Sequence, residues 1–149
     1  MSSIELLKKS QLFQSLNVKE TNLLGSICKS EKYPAGATII EENTNGRAVF
    51  IIKSGEVKVS KIDESGKERA IGMLSPGEHF GEMALIEDQH TSARIVADSD
   101  VELLTISRAD LVKLLEKNSE LAAKIYYSIC KTLSERLRRA DTYILLLSE

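Results

Sequence analysis

Between Ser75 and Ala97 the chain reads SPGEHFGEMALIEDQHTSARIVA, and these residue types suit one kind of chemistry, the seating of an anion. Gly81 is followed by Glu82 and by the helix formers Met83, Ala84 and Leu85, which predicts a helix N-terminus at Gly81 and Glu82. Backbone N–H groups in a first helical turn lack intrahelical partners, and the helix dipole favours negative charge there. A glycine lets the backbone approach a ligand closely. Glu82 would stand awkwardly beside a bound anion unless it accepts a hydrogen bond from a neutral part of the same molecule, such as a sugar hydroxyl. The competing reading is a solvated glutamate favourably placed near a helix N-terminus.

Such a turn has to be held by larger elements. Glycine turns recur at Gly36, Gly46, Gly55, Gly66 and Gly77, at intervals of 10, 9, 11 and 11 residues, which predicts many short strands. The segments AVFIIK, EVKVSKI and ERAIGML, then SARIVA and VELLTI, are rich in β-branched residues and partly alternate apolar with polar. The fold class is therefore mainly β, a sandwich, jelly roll or barrel, with helices at both ends. SIELLKKSQLFQSL and NVKETNLLGSICKS repeat apolar residues at steps of three and four and read as short amphipathic helices. SRADLVKLLEKN, opening on the hydroxyl of Ser107, reads as a capped helix.

After a break near Asn118 and Ser119, a last helix is predicted to run to about Leu147, roughly 43 Å. Ala122, Tyr126, Ile129, Leu133, Ala140, Tyr143 and Leu147 keep a seven-residue pattern interrupted by Arg136, and Ile125, Leu137 and Ile144 widen the stripe. Part of this face is expected to pack on the β domain, and its second half to pair with the same helix of another subunit, giving a homodimer.

A chain of 149 residues fits one domain with one core. Its 42% hydrophobic and 28% charged residues are those of an ordinary soluble globular protein. With 20 basic against 22 acidic residues the net charge is −2, so no global field draws nucleic acid or an anionic membrane, and any anion site must be local. Cys28 and Cys130 match no metal-ligand spacing and no disulfide scaffold, which points to reduced thiols and a cytoplasmic location. Glu5, Lys8 and Lys9 break the N-terminal apolar residues, leaving no signal peptide, and no apolar run approaches the ~18 residues of a membrane span.

Four segments together, YPAG (33–36), VFIIKSGEVKV (49–59), SPGEHFGEMALI (75–86) and SARIVA (92–97), resemble the cyclic nucleotide-binding domain family, of the catabolite activator and protein kinase A regulatory subunit type. The match runs in order over nearly the whole chain. The resemblance implies an eight-stranded jelly-roll barrel with short N-terminal helices in residues 1–30, the barrel in 31–106, and a hinge and long helix in 107–149. It also implies a phosphate-binding cassette within 77–97, formed by Gly81 to Ala93. The backbone of Gly81, Met83 and Ala84, and the backbone or hydroxyl of Ser92 ahead of Ala93, would face a cyclic phosphate. Glu82 would hold the ribose 2′-hydroxyl, and Leu85 would report cassette movement to the helix from Ser107. The ligand implied is cyclic AMP or cyclic GMP, with no metal and no other cofactor.

One position departs from the family pattern. Where an arginine usually precedes SA and faces the phosphate, this chain has Thr91, which donates one hydrogen bond and carries no charge. Losing a charge-assisted bond costs about 1.5–3 kcal/mol, roughly tenfold to over a hundredfold in affinity. If TSARIVA is a regular strand, Ser92 and Arg94 share a face, and Arg94 could supply the charge; the competing reading keeps its head in water outside the barrel. His90 or Arg69 could also approach. For capping the base, Arg136, Arg139 and Tyr143 are candidates.

No G-x-S-x-G, Walker loop or H-E-x-x-H is present, and Glu82 with Glu87 or Asp88 reads as mixed surface charge, so no catalytic residue is expected. With Glu149 coming soon after the long helix, no DNA-recognition helix is expected, and the basic group Lys131, Arg136, Arg138 and Arg139 reads as a solvated face. The reading is a stand-alone sensor module that signals through its C-terminal helices to another protein. The alternative is a degenerate domain without nucleotide, kept for dimerisation or docking.

Overall fold

The computed structural model describes residues 1–87 and 91–148. Two helices, α1 (Ser3–Lys9) and α2 (Val18–Gly25), lead into the strands β1 (Cys28–Tyr33), β2 (Thr38–Ile40), β3 (Ala48–Ser54), β4 (Val57–Ile62), β5 (Glu68–Leu74), β6 (His79–Phe80), β7 (Arg94–Ala97) and β8 (Val101–Ser107). Helices α3 (Arg108–Lys117) and α4 (Ser119–Ser148) follow. The strands form two four-stranded antiparallel sheets, β1-β8-β3-β6 and β2-β7-β4-β5. The protein is thus mainly β with flanking helices.

Strand β3 shows why the sheets and helices stack as they do. Residues 48 to 52 are all buried, and their alternation divides them between two cores. Ala48, Phe50 and Ile52 pack between the sheets with Val57, Phe80, Ile95, Ala97 and Leu103, the rings of Phe50 and Phe80 stacked at 4.8 Å. Val49 and Ile51 point the other way, into a helix-side core with Leu7, Phe13, Leu111, Leu121, Ile125 and Ile129. A strand covered on both faces needs an unbroken apolar run, and AVFII supplies it.

Side chains close the N-terminal ends of α2 and α3. Asn17 and Glu20 form a reciprocal capping box at α2, and Ser107 caps α3 by accepting from the Asp110 amide at 3.1 Å. Expectation and structure part at NVKETNLLGSICKS: α2 ends at Gly25, and Cys28 already begins β1. The segment CKSEKY has little apolar alternation of its own, but β8 offers it a full antiparallel partner from Cys28 opposite Ile106 to Tyr33 opposite Val101. Pairing, not pattern, makes it a strand.

Helix α4 divides at about its middle. Leu121, Ile125, Ser128, Ile129 and Thr132 are buried against the body, and Lys124 ties to Glu20 of α2 at 2.6 Å. Beyond Arg136 the helix is exposed, with Leu137, Tyr143, Ile144, Leu145, Leu146 and Leu147 open to solvent. Among the described residues no helix is long and apolar enough to cross a membrane.

Candidate functional site

Gly81 sits at φ 84° in the left-handed region and caps a 3₁₀ turn, Glu82–Leu85. A Cβ built at Gly81 would lie 2.5 Å from the Ala48 carbonyl oxygen, so only glycine lets this turn lie against β3. Because 3₁₀ hydrogen bonds close one residue earlier than α-helical ones, the Ala84 amide is already satisfied by Gly81 O at 3.2 Å. The backbone of Ala84 was expected to face a phosphate, and its N–H is bonded within the turn. Glu82 and Met83 occupy the first two positions of the turn, which have no partner within it.

The turn forms one wall of a cavity of about 590 Å³, within the range of small-molecule sites. Gly81, Glu82, Met83, Ala84, Thr91, Ser92 and Ala93 all line it, together with an apolar surface from Ile40, Val59, Ile71, Met73 and Ile95. Seven of the eight candidate binding residues are therefore brought together from two segments. Leu85 faces the opposite way, buried in the helix-side core with Leu111 and Leu115 of α3. The Arg108 Nε of α3 also donates to the Ala84 carbonyl at 2.7 Å, so the turn is attached to α3 by packing and by a hydrogen bond.

Glu82 is only 3% exposed, and two basic side chains approach its Oε1. Arg136 of α4 donates through Nη1 at 2.7 Å. The His79 Nε2 lies 3.7 Å away, too far for a hydrogen bond, and this buried nitrogen has no hydrogen-bond partner. Burial works to raise the Glu82 carboxyl, but the His79 imidazole and the Arg136 guanidinium together outweigh it and hold the group below its ordinary value. The cavity thus carries a carboxylate that is ionised at neutral pH.

Thr91 is held by the loop of residues 41–44. Its hydroxyl donates to Glu41 O at 2.5 Å and accepts from the Thr44 amide at 3.0 Å, while its own amide donates to Thr44 O at 2.6 Å. Arg94 is not brought to the cavity. The chain bends at Ser92 and Ala93, and β7 starts only at Arg94, so the shared face expected of a regular strand from residue 92 does not form. Arg94 instead reaches Glu41 at 3.0 Å, Glu68 at 3.3 Å and the Thr38 hydroxyl at 3.0 Å.

Arg69 is paired with Asp63 at 2.6 Å in the β4–β5 turn, away from the cavity lining. His90 and Asp88 lie outside the described residues. Of the three capping candidates, Arg136 lines the cavity, whereas Arg139 and Tyr143 do not. Sequence reasoning missed the contact of His79 with Glu82; the i, i+3 spacing was the available signal. Among the described residues no group of three or more His, Cys, Asp or Glu could hold a metal ion.

A family model described as "Cyclic nucleotide-binding domain" matches residues 30–118. The chain is 35% identical over 142 residues to the cyclic AMP receptor protein of Thermus thermophilus, covering 95% of this chain and 64% of the relative. It is 33% identical over 122 residues to a cAMP-dependent protein kinase regulatory subunit of Aspergillus fumigatus, covering 82% of this chain and 29% of that protein. The crystal structure of Thermus thermophilus catabolite activator protein superposes with a TM-score of 0.80 at 34% identity, over 93% of this chain and 63% of that one. The chain therefore spans less than two thirds of the length of each of these relatives.

Proposed function

This chain belongs to the cyclic nucleotide-binding domain family, and from that premise we propose that it is a regulatory module that binds a cyclic nucleotide, cyclic AMP or cyclic GMP, in the cavity beside the Glu82 turn. The observation that carries the reading is the convergence of Gly81, Glu82, Met83, Ser92 and Ala93 on one cavity, with an ionised carboxylate set in its wall. Glu82 accepts a hydrogen bond from the ribose hydroxyl, the small-residue backbone of the two segments borders the phosphate, and the apolar wall of Ile71 and Met73 takes the base. The two sheets are read as a jelly roll, and the protein as cytoplasmic.

A ligand shifts this protein only as far as it binds two arrangements of the domain unequally. Three contacts support a route from the cavity to the C-terminal helices: Leu85 packed against α3, Arg108 on the Ala84 carbonyl, and Arg136 on Glu82. The exposed apolar residues of α4 beyond Arg136 support a homodimer, which light scattering checks, and an effector protein receives the signal.

Calorimetric titration with cyclic AMP and cyclic GMP tests the proposal. Saturable binding is expected, weakened about tenfold or more by Glu82→Ala, the worth of a hydrogen bond to a charged group. The second reading, a docking module with an empty cavity, draws on the Thr91 hydroxyl being spent on Glu41 O. Silence from both nucleotides in the natural protein and in Thr91→Arg would select it.

A further inference from the structure

An anion in a largely apolar cavity needs a charged or well-aligned donor, and the position that usually supplies one offers nothing. The Thr91 hydroxyl is bonded on both sides to the 41–44 loop. Arg94 and Arg69 are paired with carboxylates away from the cavity. Among the described residues, Arg136 is the one arginine or lysine that lines it.

Resting on the cyclic nucleotide reading, we infer that Arg136 of α4 supplies the positive charge for the ligand's phosphate and leaves Glu82 to do so. Its side chain is 47% exposed, so the head can turn without unpacking the core. Its guanidinium carries five donors, and its hydrogen bond to Glu82 uses Nη1 alone. The exchange would strand a buried carboxylate, which is strongly unfavourable if nothing replaces the lost partner. His79 provides the replacement: its Nε2 is buried, without a hydrogen bond, and 3.7 Å from the same oxygen, so a small movement makes it the Glu82 donor. The unpartnered imidazole nitrogen and the Arg136 guanidinium thus form one device. Glu82 turns to the ribose with His79 behind it, while the phosphate takes Arg136. Because Arg136 stands where the buried part of α4 gives way to its exposed part, the phosphate acts directly on the helix that carries the signal.

The test is a mutant cycle in the full chain, with dissociation constants for cyclic AMP measured by calorimetry in the natural protein, Arg136→Gln, Arg136→Lys, Thr91→Arg and Thr91→Arg/Arg136→Gln. Arg136→Gln is expected to lose about tenfold or more, whereas Arg136→Lys, which keeps the charge, stays within about threefold. Thr91→Arg is expected to gain at least about tenfold more in the Arg136→Gln background than in the natural one, because the second cation then replaces the first. Equal gains in both backgrounds, or an unchanged affinity in Arg136→Gln, overturn the inference while leaving cyclic nucleotide binding intact. Absence of binding in the natural protein and in Thr91→Arg alike overturns the underlying reading instead.

Discussion

Replacing Gly81 by alanine should separate two costs that the turn imposes. The residue has φ 84°, and an L-residue held in that region loses about 1–2 kcal/mol. The added Cβ would also stand 2.5 Å from the Ala48 carbonyl oxygen, a backbone atom of β3 that cannot rotate away. Forcing the two apart adds about 1–3 kcal/mol, the usual scale of overpacking. Gly36 supplies the control: it has φ 89°, but a Cβ there meets nothing within 4 Å, so Gly36→Ala carries only the conformational cost. Urea unfolding of the three proteins, followed by circular dichroism with a common slope, is therefore expected to place Gly36→Ala about 1–2 kcal/mol and Gly81→Ala about 2–5 kcal/mol below the natural protein. A domain stable by about 5–15 kcal/mol stays folded through all but the largest of these losses, so both variants can be measured. Equal losses in the two variants would refute the contact with β3. No loss in either would refute the left-handed geometry.

Two further outcomes follow from the titrating groups. Glu82 is held below its ordinary value of 4.5, so its contribution to stability is complete above the unfolded carboxylate value and is lost as pH falls through the folded one. The urea midpoint should drop as pH falls below about 5, and Glu82→Gln should flatten part of that slope. Glu20, Asp63, Glu68 and Glu102, also held low, contribute to the remainder, and identical slopes in the two proteins would contradict the account. Burial pushes the Cys28 thiol up to about 11, whereas Cys130 is exposed, so iodoacetamide at about pH 8 should modify Cys130 first. Peptide mass mapping over time checks this, and the reverse order would refute it.

Local signals in the chain determined much of this protein. The glycine turns and the alternating segments between them fixed β3, β4, β5 and β8 nearly to the residue, because each strand's apolar pattern and turn chemistry are properties of neighbours in sequence. The hydroxyl of Ser107 fixed the start of α3 in the same way. The turn at Gly81 was legible because a glycine followed by helix formers already specifies a turn that lies close to something. Strand β1 was not, since CKSEKY becomes a strand only through the edge that β8 presents to it.

The charges of the site were decided by tertiary structure alone. Ser92 and Arg94 would share a face on any regular strand, but the bend at Ser92 and Ala93 removes Arg94 to Glu41 and Glu68. Arg136 meets Glu82 across 54 residues of chain, a contact visible in neither segment by itself. It exists because Leu121, Ile125 and Ile129 bury α4 against the helix-side core and so carry the next turns of the helix to the cavity. Periodicity in a sequence records which face of an element is apolar; which charge that burial delivers to a distant pocket depends on how whole elements pack.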